Sequence, residues 1–403
     1  MIKISQNISV VIPFNDSKET LQKLLKSLLD QTLKPAEIIL VNSTKSGDFQ
    51  GEINEFTNYI KIINHCVDHA YPGKARNVGV SIAKYEWIAF LDAQTIPAPF
   101  WLENINGLIK EYDCVLGLTR IDASNYFQRT LRAASYGLVD YPTIPGTIIS
   151  KKNFNNAGGF IENVRAGEDI EWRERLTQKG LHIGMPESSL INYKGLKNDL
   201  LSAIKKYFVA AYHTAYLEIQ LNIKAFYLSS FIILFSIFTV KWNSIIGWEK
   251  ESIFFIPHIT KIYLLCLSLF LIIYYFTNYF ISKIKINKTV LNAIAIIFFI
   301  LFSGLIFNWN RIFAKWVEDA IWYIPHVSKI YISILVLVSI TFRGIIMPLK
   351  KKIKTNYLFP FNWISVGILG LILDFTKAPG YIYGAIVMLI YKFNILKKSI
   401  MIK

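Results

Sequence analysis

Three groups of polar residues in the first half of the chain have types and spacings that could do chemistry. Asp92 closes the apolar run Trp87 to Leu91, and Gln94 follows two positions later. Lys74, Arg76 and Asn77 open a helical pattern after Pro72-Gly73, and Glu168-Asp169 opens another. Carboxylate and amide oxygens suit a hard divalent cation. A helix start bearing Lys and Arg offers cations and free N–H groups to phosphate or to carboxylates. Each group also has a plainer reading, since acids at a helix N-terminus are favoured by the dipole and a cationic helix start is often merely solvated. His65 and His69 lie four apart beside a strand end with no convincing third ligand, so no metal site is read there. Cys66, Cys114 and Cys266 show no paired spacing, which implies neither a disulfide framework nor a zinc site and fits a reducing compartment.

These groups must be held by the elements around them. Ile8 to Ile12, Glu37 to Val41, Ile60 to Ile63 and Trp87 to Leu91 read as short buried strands. Helical patterns run between them at Thr20 to Gln31, with leucines at 21, 24, 25, 28 and 29, and at Ala75 to Ala83. Alternating strands and helices predict a parallel sheet, whose ligands bind beyond the carboxyl ends of the strands. Asn15, Asn42 and Asp92 all fall at such ends. Further strands are expected at Cys114 to Leu118 and Thr147 to Ser150, and a helix at Glu168 to Gln178. Leu200 to Ile223 is amphipathic, suited to a membrane interface or to packing on the domain before it.

The second half changes character. From about Ala225, apolar runs of membrane-spanning length recur between short basic loops. Trp242-Asn243 followed by Ile256-Pro257-His258 recurs as Trp309-Asn310 followed by Ile324-Pro325-His326, and Asn362-Trp363 with Pro379 reads as a third copy. The expectation is three helical hairpins, with spans at 225–241, 259–281, 289–309, 327–347, 357–374 and 379–394. Asp374 and Lys377 would pair across the last turn. The spans show no obvious interior charge, which argues against a polar channel. The net charge is +16, but many lysines sit in the basic loops, which favours an anionic leaflet over nucleic acid. With basic loops inside, both termini are expected in the cytosol, and the absence of a signal peptide pattern keeps the first domain there.

The segments Val10 to Asn15, Glu37 to Val41, Pro72 to Gly79, Phe90 to Asp92, Gly158-Gly159-Phe160 and Gly167-Glu168-Asp169, in this order, resemble the inverting family 2 glycosyltransferases. The resemblance covers roughly residues 8 to 195. It implies a GT-A α/β domain, followed here by an all-α transmembrane domain of about six segments. The expected organisation is 1–200 for the GT-A domain, 201–223 for an interfacial helix and 224–403 for the membrane domain.

The resemblance also implies roles. Pro13, Phe14, Asn15, Asn42 and Asp68 would line the nucleotide pocket, with uridine as the expected base. Asn42 stands where the family carries an acid, so charge assistance to the base is lost. Lys74, Arg76, Asn77 and Asp92 would meet the diphosphate side. Asp92 and Gln94 would hold Mg²⁺ or Mn²⁺, weakened because Gln94 replaces the second acid of an Asp-x-Asp signature. Asp169, beside Glu168, would be the general base, and Gly158, Gly159 and Trp172 would face the acceptor. Partners would be a nucleotide-sugar donor, a glycan or lipid-linked acceptor and the lipid bilayer, at an inner or plasma membrane. Asn42 and Gln94 leave a second reading open: a nucleotide-sensing or scaffold protein that retains the fold without turnover.

Overall fold

The structure is a computed structural model that describes residues 3–4, 8–15, 18–43, 50–217, 219, 242–243, 251–252, 255 and 336–401. It divides into two units. The first is Met1–Ile219 with Pro348–Thr355 and Gly384–Lys403, and the second is Gln220–Met347 with Asn356–Tyr383.

In chain order the first unit begins with β1 (Lys3–Ile4), β2 (Ile8–Phe14), α1 (Lys18–Leu29), β3 (Leu33–Lys34), β4 (Glu37–Asn42), α2 (Gln50–Thr57) and β5 (Ile62–Cys66). Next come α3 (Pro72–Ile82), β6 (Trp87–Phe90), β7 (Thr95–Pro97), α4 (Trp101–Leu108), β8 (Cys114–Ile121), α5 (Tyr126–Ala134) and β9 (Tyr141–Ser150). The unit's main run closes with α6 (Lys151–Ala157), α7 (Glu168–Gln178), β10 (Ile183–Gly184), β11 (Ile191–Tyr193) and α8 (Leu200–Thr214).

Nine strands form one mixed sheet in the order β5-β4-β2-β6-β9-β8-β11-β7, with β10 beside β8. β5, β4, β2 and β6 are mutually parallel, and β9 runs antiparallel to both β6 and β8. The chain leaves β2 in one direction for β4 and β5, then returns to lay β6 on the other side of β2. That reversal opens a crevice at the carboxyl ends of β2 and β6.

The strands read as continuous apolar runs because both faces are covered. Val10, Ile12, Ile38 and Leu40 point into one core with Leu21, Leu24, Leu25 and Leu28 of α1. Val11, Ile39 and Val41 point the other way, into a core with Val80, Phe154, Phe160 and Trp172. The period-2 alternation of the strand does the sorting.

Several elements differ from expectation. β9 starts six residues before the predicted Thr147, because Pro142 and Pro145 hide a strand paired with β8. β5 lies two to three residues further along than predicted. β7, β10 and β11 are too short to show a period of their own and exist only through their sheet partners.

Of the six predicted spans, the first three and residues 327–335 of the fourth lie outside the described residues, as do His258 and His326. Among the described residues, no helix is long and apolar enough to cross a membrane. The predicted last hairpin is corrected: Asn362–Met401 is one continuous helix with Pro379 inside it. Proline forfeits one i→i−4 bond but need not end a helix. Asp374 also needs no aqueous turn, because Arg343 Nε donates to its Oδ2 at 2.7 Å and both residues are buried. Lys377 pairs with Asp374 at 3.4 Å along the same helix instead of across a turn. The reading of an uncharged interior is corrected with it. Arg343 sits in a π-helical turn, Phe342–Ile346, whose Gly344 lets the backbone approach Trp363 so closely that a Cβ would lie 2.1 Å from its carbonyl oxygen. In the basic 349–356 loop, Lys351 is spent on protein, its Nζ donating to the Ser135 carbonyl.

Gly79 shows how tightly α3 is set on the sheet, since a Cβ there would lie 2.3 Å from Val11 Cγ1. Gly79→Ala should therefore destabilise the unit by about 1 to 3 kcal/mol through overpacking, despite its better helix propensity. A thermal melt of the purified chain checks this, and an unchanged or raised Tm would show that Val11 gives way freely.

Candidate active site

The carboxyl ends of β2, β4 and β6 carry the candidate residues. Asp92 follows β6 in a turn closed by Thr95, whose Oγ1 donates to the Asp92 carbonyl at 2.6 Å. Ser43 N donates to the Phe14 carbonyl at 2.9 Å, joining the ends of β4 and β2. Pro72 occupies the first turn of α3 after an extended Tyr71, a position where proline has no hydrogen bond to lose. Arg76 follows one turn later and is 3% exposed.

Arg76 is the centre of the arrangement. Its Nη2 donates to Asp92 Oδ1 at 2.8 Å and its Nη1 to Glu168 Oε1 at 2.9 Å. The guanidinium also lies 5.4 Å from the centroid of the Phe160 ring. Burial works against its charge, but the two carboxylates outweigh that cost and hold it firmly protonated. Glu168 is pushed up to about 7: burial raises it most, the Arg76 charge pulls it down, and neighbouring Asp169 pushes it up again. One cation thus joins a strand end to the first turn of α7, with Arg76 and Glu168 92 residues apart in sequence.

A loop between α6 and α7 fixes the spacing. Gly158 has φ +83, a left-handed conformation that favours glycine. Asn77 Nδ2 donates to the Phe160 carbonyl at 2.8 Å, and Phe160 N donates back to Asn77 Oδ1 at 2.8 Å. From α7, Trp172 Nε1 donates to the Gly158 carbonyl at 3.0 Å, and Arg175 Nη2 to the Gly159 carbonyl at 2.9 Å. The loop therefore clamps α3 to α7, the two helices that supply Arg76 and Glu168.

Several expectations are corrected here. Trp172 is no acceptor platform, because it is fully buried, 4.6 Å from Phe160 between ring centroids. Gly158 and Gly159 are consumed by the clamp, and a Cβ on Gly159 would lie 2.6 Å from Asn77 Oδ1. Asn77 ties the loop down and has no amide left for phosphate. Glu168 is buried against Arg76, which makes it a positioning group, while Asp169 stays partly exposed beside it with Arg173 Nη2 at 4.0 Å.

A cavity of about 800 Å³ opens at this end of the sheet. Pro13, Phe14, Asn15, Arg76, Asp92 and Gln94 line it, as expected from sequence. Asn42, buried at the end of β4, Lys74, and Asp68, exposed and paired with His69 at 3.3 Å, stand outside that lining. Tyr71, Arg165 and Tyr193 line it without having been expected. Arg165 had a weak signal, three residues before Glu168. Tyr193 had none, because three-residue β11 reaches the site only by pairing with β8 and β7. Its hydroxyl donates to Gln94 Oε1 at 3.0 Å.

The expected Mg²⁺ or Mn²⁺ does not fit the donor set. Asp92 is the only carboxylate among the described residues of the lining, and Arg76 holds one of its oxygens. Gln94 offers an amide oxygen already bonded to Tyr193. Among the described residues no cluster of three His, Cys, Asp or Glu stands ready for a metal. A hard divalent ion asks for more oxygen donors than this.

A mixed sheet whose strand order reverses at β2 beside a cavity of about 800 Å³ fits a GT-A-like α/β domain. Residues 9–166 match the family model described as Glycosyl transferase family 2, and the first unit carries a domain of that family. Among curated relatives, the pre-mycofactocin glycosyltransferase of Mycobacterium tuberculosis is 23% identical over 208 residues, which is 46% of this chain and 42% of that one. Glycosyltransferase GlyG of Streptococcus pneumoniae is 31% identical over 114 residues, 27% of this chain and 37% of that one. The match thus spans under half the length of each of these two relatives. The solved structure of S. aureus TarS 1–349 in complex with UDP-GlcNAc is 16% identical, covers 70% of this chain and 77% of that one, and superposes with a TM-score of 0.38.

The Glu168 shift has a sign that can be tested. Its folded pKa of about 7 lies above the ordinary 4.5, so the folded chain holds this proton more tightly than the unfolded chain. The contribution to stability is complete below about 4.5 and is lost as pH rises through about 7. Glu168→Gln should flatten the fall in Tm between those limits, measured by thermal melts in a buffer series. An unchanged slope would assign the titration to another group.

Proposed function

We propose that this protein is an inverting glycosyltransferase that moves a hexose-type sugar from a nucleoside-diphosphate donor, with uridine as the preferred base, to an acceptor hydroxyl. The observation that supports this reading is the Arg76 bridge, which ties the cavity-lining carboxylate Asp92 to Glu168 at the acidic start of α7. Phe14, Asn15 and Ser43 suit a nucleobase and ribose at the ends of β2 and β4. Asp169 is the base: it takes the acceptor proton as the hydroxyl oxygen bonds to the anomeric carbon. The anomeric C–O bond to the diphosphate breaks at the same time, and its electron pair leaves with the nucleotide. Attack opposite the leaving group inverts configuration. Glu168, one residue earlier and locked to Arg76, sets where Asp169 stands.

The acceptor is proposed to be a lipid-linked glycan at the cytosolic face of an inner or plasma membrane, supported by the apolar runs and basic loops of the second half of the sequence. Asp169→Asn should lower sugar transfer by about 10²- to 10⁴-fold, the usual worth of a general base, while nucleotide affinity stays near wild type. Release of nucleoside diphosphate from a panel of nucleotide sugars, with isolated membranes as acceptor, measures it. Full turnover in the variant would remove Asp169 from the role. Nucleotide binding without turnover in the wild type under any donor would favour a sensing or scaffold role instead.

A further inference from the structure

Among the described residues that line the cavity, one cation is uncommitted, and it is not the one the sequence emphasises. Arg76 is already shared between Asp92 and Glu168, so the cluster of the three carries one negative charge when Glu168 is ionised. A donor diphosphate entering beside Asp92 would meet a carboxylate whose cation is spent. Arg165 is different. It lines the same cavity, is exposed, and among the described residues makes no hydrogen bond or ion pair.

Its backbone is not loosely placed. Val164 packs with Leu217 and Ile219. Gly167, with φ +91, runs so close beneath α8 and the residues after it that a Cβ would lie 2.7 Å from Thr214 Cγ2 and 2.9 Å from Leu217 Cδ1. Arg165 thus stands on a segment anchored on both sides. Burial, and then the nearby charge of Arg165, hold His213 below the ordinary histidine range. Tyr71, whose ring meets that of His213 edge-on at 5.3 Å between centroids, lines the same cavity.

Building on the proposed donor chemistry, we infer that Arg165, and not a divalent cation held by Asp92 and Gln94, neutralises the nucleotide diphosphate, so that donor binding is independent of metal. A guanidinium matches phosphate oxygens in a bidentate fork and needs no carboxylate to hold it. Arg76, Asp92 and Glu168 then form a fixed wall, and Arg165 is the side of the cavity that responds to charge.

Calorimetric titration of the purified full chain tests this with UDP, GDP, CDP and dTDP, each beside its parent nucleoside, in EDTA and in Mn²⁺. One diphosphate should bind in EDTA within about 2-fold of its affinity in Mn²⁺, and Arg165→Gln should weaken it roughly 10- to 100-fold while leaving the nucleoside within about 2-fold. Arg165→Lys should restore part of the loss. Binding that needs Mn²⁺ would overturn the inference and leave the glycosyltransferase reading standing. So would an Arg165→Gln variant that binds the diphosphate normally, or one that loses nucleoside and diphosphate alike. Failure of every diphosphate to bind, with or without metal, would overturn the donor reading and this inference together.

Discussion

The guanidinium of Arg76 is buried between two carboxylates that come from distant parts of the chain, and the active end of the first unit is organised around that fact. A buried cation without a partner would cost several kcal/mol, and so would the buried Glu168 without the cation, while Asp92 is half-buried. The three groups are therefore acceptable only together and only at their present separations. Geometry of this kind cannot be relaxed by moving one helix. It demands that β6, α3 and α7 arrive in register, and the glycine loop at 158–160 is the device that makes them do so.

That requirement explains the chemistry of the surrounding residues. Asn77, Trp172 and Arg175 all spend their polar atoms on one short stretch of backbone, and Phe160 fills the space beneath Arg76. Side chains that would otherwise look available for a substrate are consumed in holding the cation still. What lines the cavity beyond that cluster is a smaller set: the strand-end residues Pro13, Phe14 and Asn15, with Tyr71, Arg165, Tyr193 and Gln94 among them.

The same physics recurs in the second unit. Arg343 and Asp374 are buried together, with Ser339 and Lys377 completing the cluster. An ion pair in an apolar helical segment is rarely there for stability alone. Here the pair sits on a helix that carries an acid, a lysine and a proline at 374, 377 and 379 and stays continuous. The helices approach at Gly344 and Gly367, where a side chain would collide with the facing backbone, so the pair and the glycines define one close contact between them.

Much of this was legible in the sequence. The parallel strands at Ile8, Glu37 and Trp87 were visible because burial on both faces leaves an apolar run that few other structures produce. The helix at Glu168 was visible because its acids suit an N-terminus. Their order placed Asn15, Asn42 and Asp92 at one end of a sheet before any coordinates. The partner of Arg76 was not legible, since a cation that opens a helix looks the same whether it faces phosphate or two carboxylates. Trp172 and Asn77 were misread for the same reason: residue type shows what a side chain can bond, but burial decides whether it is spent. Tyr193 was invisible because three-residue β11 has no local period and exists only through its neighbours. Local propensity and periodicity are properties of short segments, so the chain alone determined which elements form and in what order. Which polar atoms remain for a ligand depends on contacts across tens of residues, and only the tertiary structure decided that.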